Sequence, residues 1–201
     1  MRTEKLLEVL RDKALKSPIG MGDPFLESRM ESWAPYLRFM YHCVQAFGMR
    51  LVLELGTYNG TCAAHMASAN PYTHVITVDV NPRRGAFEAA EHYRNITVLT
   101  GDSCDFHDAV ASEGLLINML FLDTMHDGIT PRLELDTYKD LLAEVSFVVV
   151  DDLLGPTHLE RVMMDFWNEL PDPKVLLHEL HPKRDGVVHH DAPGFGVCVW
   201  T

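Results

Sequence analysis

No stretch of this 201-residue sequence is apolar for long enough to cross a bilayer, which takes about 20 consecutive apolar residues in a helix. The opening segment MRTEKLLEVLRDKAL is charged and amphipathic, so it reads as neither a signal peptide nor a membrane anchor. Basic charge is also scarce. Seventeen Lys and Arg face 29 Asp and Glu, for a formal net charge of −12. Phosphate backbones and anionic membranes call for a basic face, so neither is expected as the main partner. Cysteine is sparse, and Cys43, Cys62, Cys104 and Cys198 are scattered without paired spacing. That disfavours a disulfide frame or a zinc site and points to reduced thiols in a cytoplasmic protein. Repeats and low-complexity tracts are absent. What remains is 47% hydrophobic and 23% charged, an ordinary composition for one globular domain with a real core.

The sequence also lacks the Gly-x-Gly-x-x-Gly of a dinucleotide fold. In its place stands LVLELGTYNG, residues 51–60. Leu51 to Leu55 is sized for a buried parallel strand, and Gly56 and Gly60 bracket a tight loop. Thr61 to Ala67 can then open a helix. Glycines let a backbone approach a ligand, and the free N–H groups of a helix start point at it. The Glu54 carboxylate would repel a pyrophosphate but suits a cationic ligand, such as the amino group of S-adenosylmethionine. A strand end with a plain tight turn is the alternative.

Upstream, Thr3 to Lys16 carries Leu6, Leu7, Val9, Leu10 and Ala14 on one helical face. Ser17 to Pro24 is a breaker-rich link. Ser32 to Phe47 predicts a second helix with Trp33, Leu37, Met40, Tyr41 and Val44 buried, stopped by Gly48. Residues 1–48 are therefore expected to form a helical cap on a domain spanning 49–201, within a single domain overall.

Downstream the periodicity alternates. His74 to Val80 predicts a strand ending near Asp79, placed to accept hydrogen bonds from ribose hydroxyls. Arg84 to Arg94 reads as a helix and Ile96 to Leu99 as a strand running into Thr100-Gly101-Asp102-Ser103. These polar residues can read an adenine edge or simply form a turn. Met119 to Leu122 is a strand ending at Asp123, Pro131 to Leu142 a helix, and Phe147 to Val150 a strand ending in Asp151-Asp152. Glu160 to Leu170 predicts a last helix, and Val175 to Leu180 with Phe195 to Trp200 an antiparallel hairpin. The expected fold is α/β, a Rossmann-like doubly wound and mostly parallel seven-stranded sheet. Ligands of such sheets bind beyond the carboxyl ends of the strands, where the carboxylates gather.

Asp123, Asp151 and Asp152 would fall at adjacent tips. Clustered carboxylates repel unless a cation or protons intervene, and hard oxygen ligands without cysteine suit magnesium. Helix capping or pairing with arginine are the alternatives. His126, three residues past Asp123, could be a proton acceptor, a metal ligand or a surface histidine. His178, His181, His189 and His190 lack a recognised metal spacing.

The motifs LVLELGTYNGTCAAHMA, VDVNP, FLDTMHD and VVVDDL, in that order, resemble class I S-adenosylmethionine-dependent methyltransferases. More narrowly they are similar to metal-dependent O-methyltransferases of the catechol type and to the group with macrocin O-methyltransferase and cephalosporin hydroxylase. The resemblance runs from about Leu51 to the C-terminus. It implies that Glu54, Gly56, Thr57, Tyr58 and Gly60 line the methionine part of the cofactor, and that Asp79 and Val80 hold the ribose. Asp102, Ser103 and Cys104 would meet the adenine, and Asp123 would serve cofactor, metal and catalysis. Asp123, Asp151 and Asp152 would hold a divalent cation such as Mg2+, and His126 would be the base. The catechol enzymes carry lysine where His126 stands, and asparagine where Asp152 stands. The implied reaction is methyl transfer to a small hydroxylated molecule, with room for a homo-oligomer. Alternatives are a nicotinamide-dependent oxidoreductase, a cephalosporin hydroxylase-type relative without methyl transfer, and a binding protein without turnover.

Overall fold

The computed structural model describes residues 3–29, 34–153, 158–177, 180 and 194–201. Its centre is a seven-stranded sheet built from β1 (Leu51–Leu55), β2 (His74–Asp79), β3 (Ile96–Thr100), β4 (Ile117–Leu122), β5 (Leu142–Val150), β6 (Lys174–Leu176) and β7 (Gly196–Trp200). The order across the sheet is β3-β2-β1-β4-β5-β7-β6. Pairs from β3 to β5 are parallel, and β7 lies antiparallel to both β5 and β6. The expected mostly parallel sheet with an antiparallel end is therefore present. The last strand inserts inside, leaving three-residue β6 at the edge.

Strand alternation sorts the core into two layers. Val52, Val75, Met119, Phe121, Phe147 and Val149 face one layer. Leu53, Leu55, Ile76, Val78, Leu122, Val148 and Val150 face the other. Such runs buried on both sides are what a central parallel strand requires.

The first layer is covered by α1 (Thr3–Lys16), α3 (Pro35–Phe47) and α4 (Thr61–Ala69). Leu7, Leu37 and Met40 thus share one core with the strands. Helix α3 begins at Pro35, later than predicted, because proline is tolerated only in a first turn. Trp33 and the remainder of the predicted start lie outside the described residues. Gly48 ends the helix at φ 58°, as its sequence position suggested. A short helix in the breaker-rich region, α2 (Pro24–Glu27), was not predicted; Asp23 caps it by accepting from Phe25 N at 2.8 Å.

The other helices are α5 (Arg84–His92), α6 (His107–Ala111), α7 (Thr130–Tyr138) and α8 (His158–Glu169). Helix α7 stops four residues before the predicted Leu142, which instead opens β5 opposite Ile117. Lys174 Nζ donates to the Trp167, Asn168 and Leu170 carbonyls, closing the end of α8. No helix among the described residues is long and apolar enough to cross a membrane.

Candidate active site

Each parallel strand ends by handing its neighbour a hydrogen bond. Gly56 N donates to Val78 O at 2.8 Å, Asp123 N to Leu55 O at 2.8 Å, Asp151 N to Leu122 O at 3.1 Å, and Gly101 N to Asp79 O at 3.0 Å. The loops after β1 to β5 therefore leave the sheet along one edge. That edge carries Glu54, Asp79, Asp102, Asp123, Asp151 and Asp152, as the strand-tip argument anticipated.

The loop after β1 depends on its glycine. Gly56 adopts φ +100°, and a Cβ there would lie 1.9 Å from Asp123 O. Gly60, at φ +72°, begins α4 where a Cβ would meet Ala86 Cα at 2.7 Å. Tyr58 holds a left-handed φ of 45° without being glycine. Its N–H donates to Asp79 Oδ2 at 2.8 Å, and Arg83 lies over its ring at 5.0 Å. The other Asp79 oxygen accepts from Asn81 N at 2.7 Å. Asp79 thus fixes both loop flanks, while Val80 beside it is 72% exposed.

Glu54 lies lower than its motif implied. It is 1% exposed, on the β1 face beneath α4. Thr77 Oγ1 donates to Glu54 Oε2 at 2.5 Å, so the Thr57 hydroxyl, 2.6 Å away, must donate to Thr77. Burial, opposed by that hydrogen bond, pushes the Glu54 carboxyl up to about 7. A buried chain of two threonines thereby connects Glu54 to the backbone of the glycine loop.

After β3, Asp102 Oδ1 accepts from Cys104 N at 2.9 Å, starting a turn over Ser103–Phe106 that runs into α6. The turn offered as the alternative reading of this segment is present, and the residues named as an adenine edge form it. Ser103 Oγ donates to Glu134 Oε1 at 2.6 Å, and Tyr138 Oη donates to the Ser103 carbonyl. Thr124 Oγ1 donates to the same Glu134 oxygen at 2.8 Å.

At the next tips, His126 stands between two aspartates. Its Nδ1 lies 3.1 Å from Asp152 Oδ2 and its Nε2 3.7 Å from Asp123 Oδ1. Burial and then the Asp151 charge push the Asp123 carboxyl well above the usual carboxylate range. The neighbouring Asp123 and Asp152 carboxylates raise His126 despite the opposing effect of burial. Asp151 is buried, and Asp152 takes a left-handed φ of 52°. Among the described residues, no group of three or more His, Cys, Asp and Glu side chains is arranged to hold a metal ion. The donor chemistry, hard carboxylate oxygens repelling one another, fits a divalent cation. As it stands, the geometry is a carboxylate–imidazole–carboxylate bridge. His178, His181, His189 and His190 lie outside the described residues.

Sequence reasoning missed Glu134, Thr77 and Thr124. The available signal was a polar residue in an otherwise apolar setting: Glu134 one turn before Tyr138 on the buried side of α7, and Thr77 within the buried run of β2, on the face of Val75. All three have side chains that satisfy another residue of the site.

Residues 53–153, half of the chain, match the family described as Methyltransferase domain. Among solved structures, the O-methyltransferase TomG from Streptomyces achromogenes, involved in tomaymycin synthesis and in complex with SAM, superposes with a TM-score of 0.66. The two are 16% identical, over 96% of this chain and 90% of that one. The O-methyltransferase from Bacillus cereus in complex with SAH gives a TM-score of 0.65 at 17% identity, over 98% of this chain and 90% of that one. No curated protein sequence matches.

Proposed function

The chain belongs to the methyltransferase-domain family, and we propose that it transfers a methyl group from S-adenosylmethionine to an oxygen of a small hydroxylated molecule. One observation carries this reading: the glycine loop, Asp79 and the Asp123–His126–Asp152 bridge lie along one carboxyl edge of the sheet. The two neighbours named above are O-methyltransferases bound to SAM and SAH, which supports the choice of cofactor.

The loop of Gly56, Thr57, Tyr58 and Gly60 shapes the methionine side, with Glu54 holding it from below through Thr77. Asp79 and Val80 take the ribose, and Asp102, Ser103 and Cys104 the adenine. His126, oriented through Nδ1 by Asp152, removes the hydroxyl proton as the substrate oxygen attacks the methyl carbon, and the sulfur–methyl bond breaks with its electron pair left on sulfur, releasing S-adenosylhomocysteine. Asp123 steadies the imidazolium so formed. The same carboxylates, Asp123, Asp151 and Asp152, would hold magnesium or a similar cation, which when bound lowers the pKa of a coordinated hydroxyl. A catechol-like or vicinal diol acceptor fits such a corner. The helices that precede β1 serve as a cap on the domain that follows, a reading that their packing against one face of the sheet supports.

Titrating S-adenosylhomocysteine into the protein by calorimetry, with magnesium and then with EDTA, tests the reading. Micromolar binding in both, followed by methylation of a diol-containing acceptor, is the expected result. Absence of binding in both overturns it, and binding without product from any acceptor identifies a non-catalytic relative.

A further inference from the structure

Glu134 is fully buried on α7, yet it spends one oxygen on two loops of the site. Its Oε1 accepts the Ser103 hydroxyl at 2.6 Å and the Thr124 hydroxyl at 2.8 Å. Tyr138, one turn further along α7, donates to the Ser103 carbonyl. The helix therefore grips the β3 loop by both a side chain and a carbonyl, and reaches the loop after β4 through the same carboxyl group.

A hydroxyl has one proton to donate and two lone pairs with which to accept. Because the Ser103 and Thr124 protons both point at Glu134, each hydroxyl oxygen can offer a ligand only lone pairs. We propose that Glu134 is a positioning residue that sets the hydrogen-bond polarity of the purine pocket, so that Ser103 and Thr124 accept from an exocyclic amine and repel a carbonyl oxygen. The inference rests on the functional reading above, in which the Ser103 loop meets the adenine. It adds the basis on which an adenosyl cofactor is told from its deaminated, inosyl counterpart. A site committed to accepting leaves an acceptor–acceptor contact when the amine becomes a carbonyl, and such mismatches discriminate strongly.

The experiment is a pair of calorimetric titrations with S-adenosylhomocysteine and S-inosylhomocysteine, on the wild-type chain and on Glu134→Leu. The wild type is expected to prefer the adenosyl ligand by about tenfold or more. In Glu134→Leu the released hydroxyls can turn and donate, so the preference should shrink to about threefold or less, whatever the change in absolute affinity. A variant that merely loosened the fold would weaken both ligands and leave their ratio intact. Should Glu134→Leu fail to fold, Ser103→Ala removes one acceptor directly and should narrow the same ratio. Equal wild-type affinity for both ligands overturns the inference while leaving the methyltransferase reading standing, as does a ratio unchanged in the folded variant. Binding of neither ligand by the wild type overturns both.

Discussion

His126 Nδ1 lies 3.1 Å from Asp152 Oδ2, and the backbone of Asp152 is turned to a left-handed φ of 52° where it does so. A non-glycine residue rarely takes that conformation, and such strain gathers at functional sites. With His126 as the proton acceptor, His126→Ala should lower the methyl-transfer rate by about 10²- to 10⁴-fold. S-adenosylhomocysteine affinity should stay within about threefold of wild type, since the imidazole acts on the acceptor rather than the cofactor. Stopped assays of product and calorimetry on the same preparation measure the two effects. Equal loss of both would remove His126 from the chemistry.

The carboxylate corner makes a separate prediction. Asp123 is pushed well above its ordinary range by burial and by the charge of Asp151, a repulsion that a divalent cation would relieve. Chelation with EDTA should therefore depress methyl transfer, and added magnesium should restore it. Asp151→Ala should lose the metal-stimulated rate while retaining S-adenosylhomocysteine binding. Full activity in EDTA would leave the His126 bridge to work without a cation.

The central strands were readable because their physics is local. Leu51–Leu55, Glu54 apart, and Phe147–Val150 are apolar on both faces, and their ends are marked by glycine or aspartate. Asp79, Asp123 and Asp151 could be placed because any parallel sheet sends its strand ends to one edge. Residues whose roles depend on distant partners were not readable. Glu134 lies 31 positions from Ser103, and nothing in the TPRLELDTY segment announces that meeting. The start of β5 was hidden because Ala143 to Val145 is a partly exposed stretch where the register with β4 shifts, and no apolar pattern marks it. Glu54 was found, but its depth was not: only Thr77 on the adjacent strand shows that its carboxylate is satisfied from below.

Gly56 carries a prediction of its own. A Cβ at this position would lie 1.9 Å from Asp123 O, with the backbone at φ +100°. Both the contact and the conformation penalise any side chain. Gly56→Ala should destabilise the fold by about 2 kcal/mol or more, by analogy with other substitutions at special backbone positions. It should also abolish S-adenosylhomocysteine binding in whatever fraction stays folded, because relief of the clash parts the glycine loop from the Asp123 loop. Thermal melts with and without ligand measure both. A melting temperature equal to wild type would mean the two loops are not locked together.

Glu54 sets a dependence on pH that needs no substrate to observe. Its carboxyl is pushed from 4.5 up to about 7 by burial, so the folded chain holds that proton more tightly than the unfolded chain does. The associated stability is complete below about pH 4.5, the unfolded value, and is lost as pH rises towards about 7. At 1.36 kcal/mol per unit the loss is on the order of 3 kcal/mol, the opposing hydrogen bond from Thr77 being already part of the shift. Glu54→Gln keeps a side-chain oxygen to accept from Thr77 and has no proton to lose. The difference in unfolding free energy between wild type and Glu54→Gln should therefore change across pH 5 to 7.5, with the wild type losing stability relative to the variant. Other carboxylates titrate in both proteins and cancel in the comparison. Parallel denaturant titrations at four or five pH values measure this difference, and a flat result would mean that Glu54 is ionised in the fold throughout.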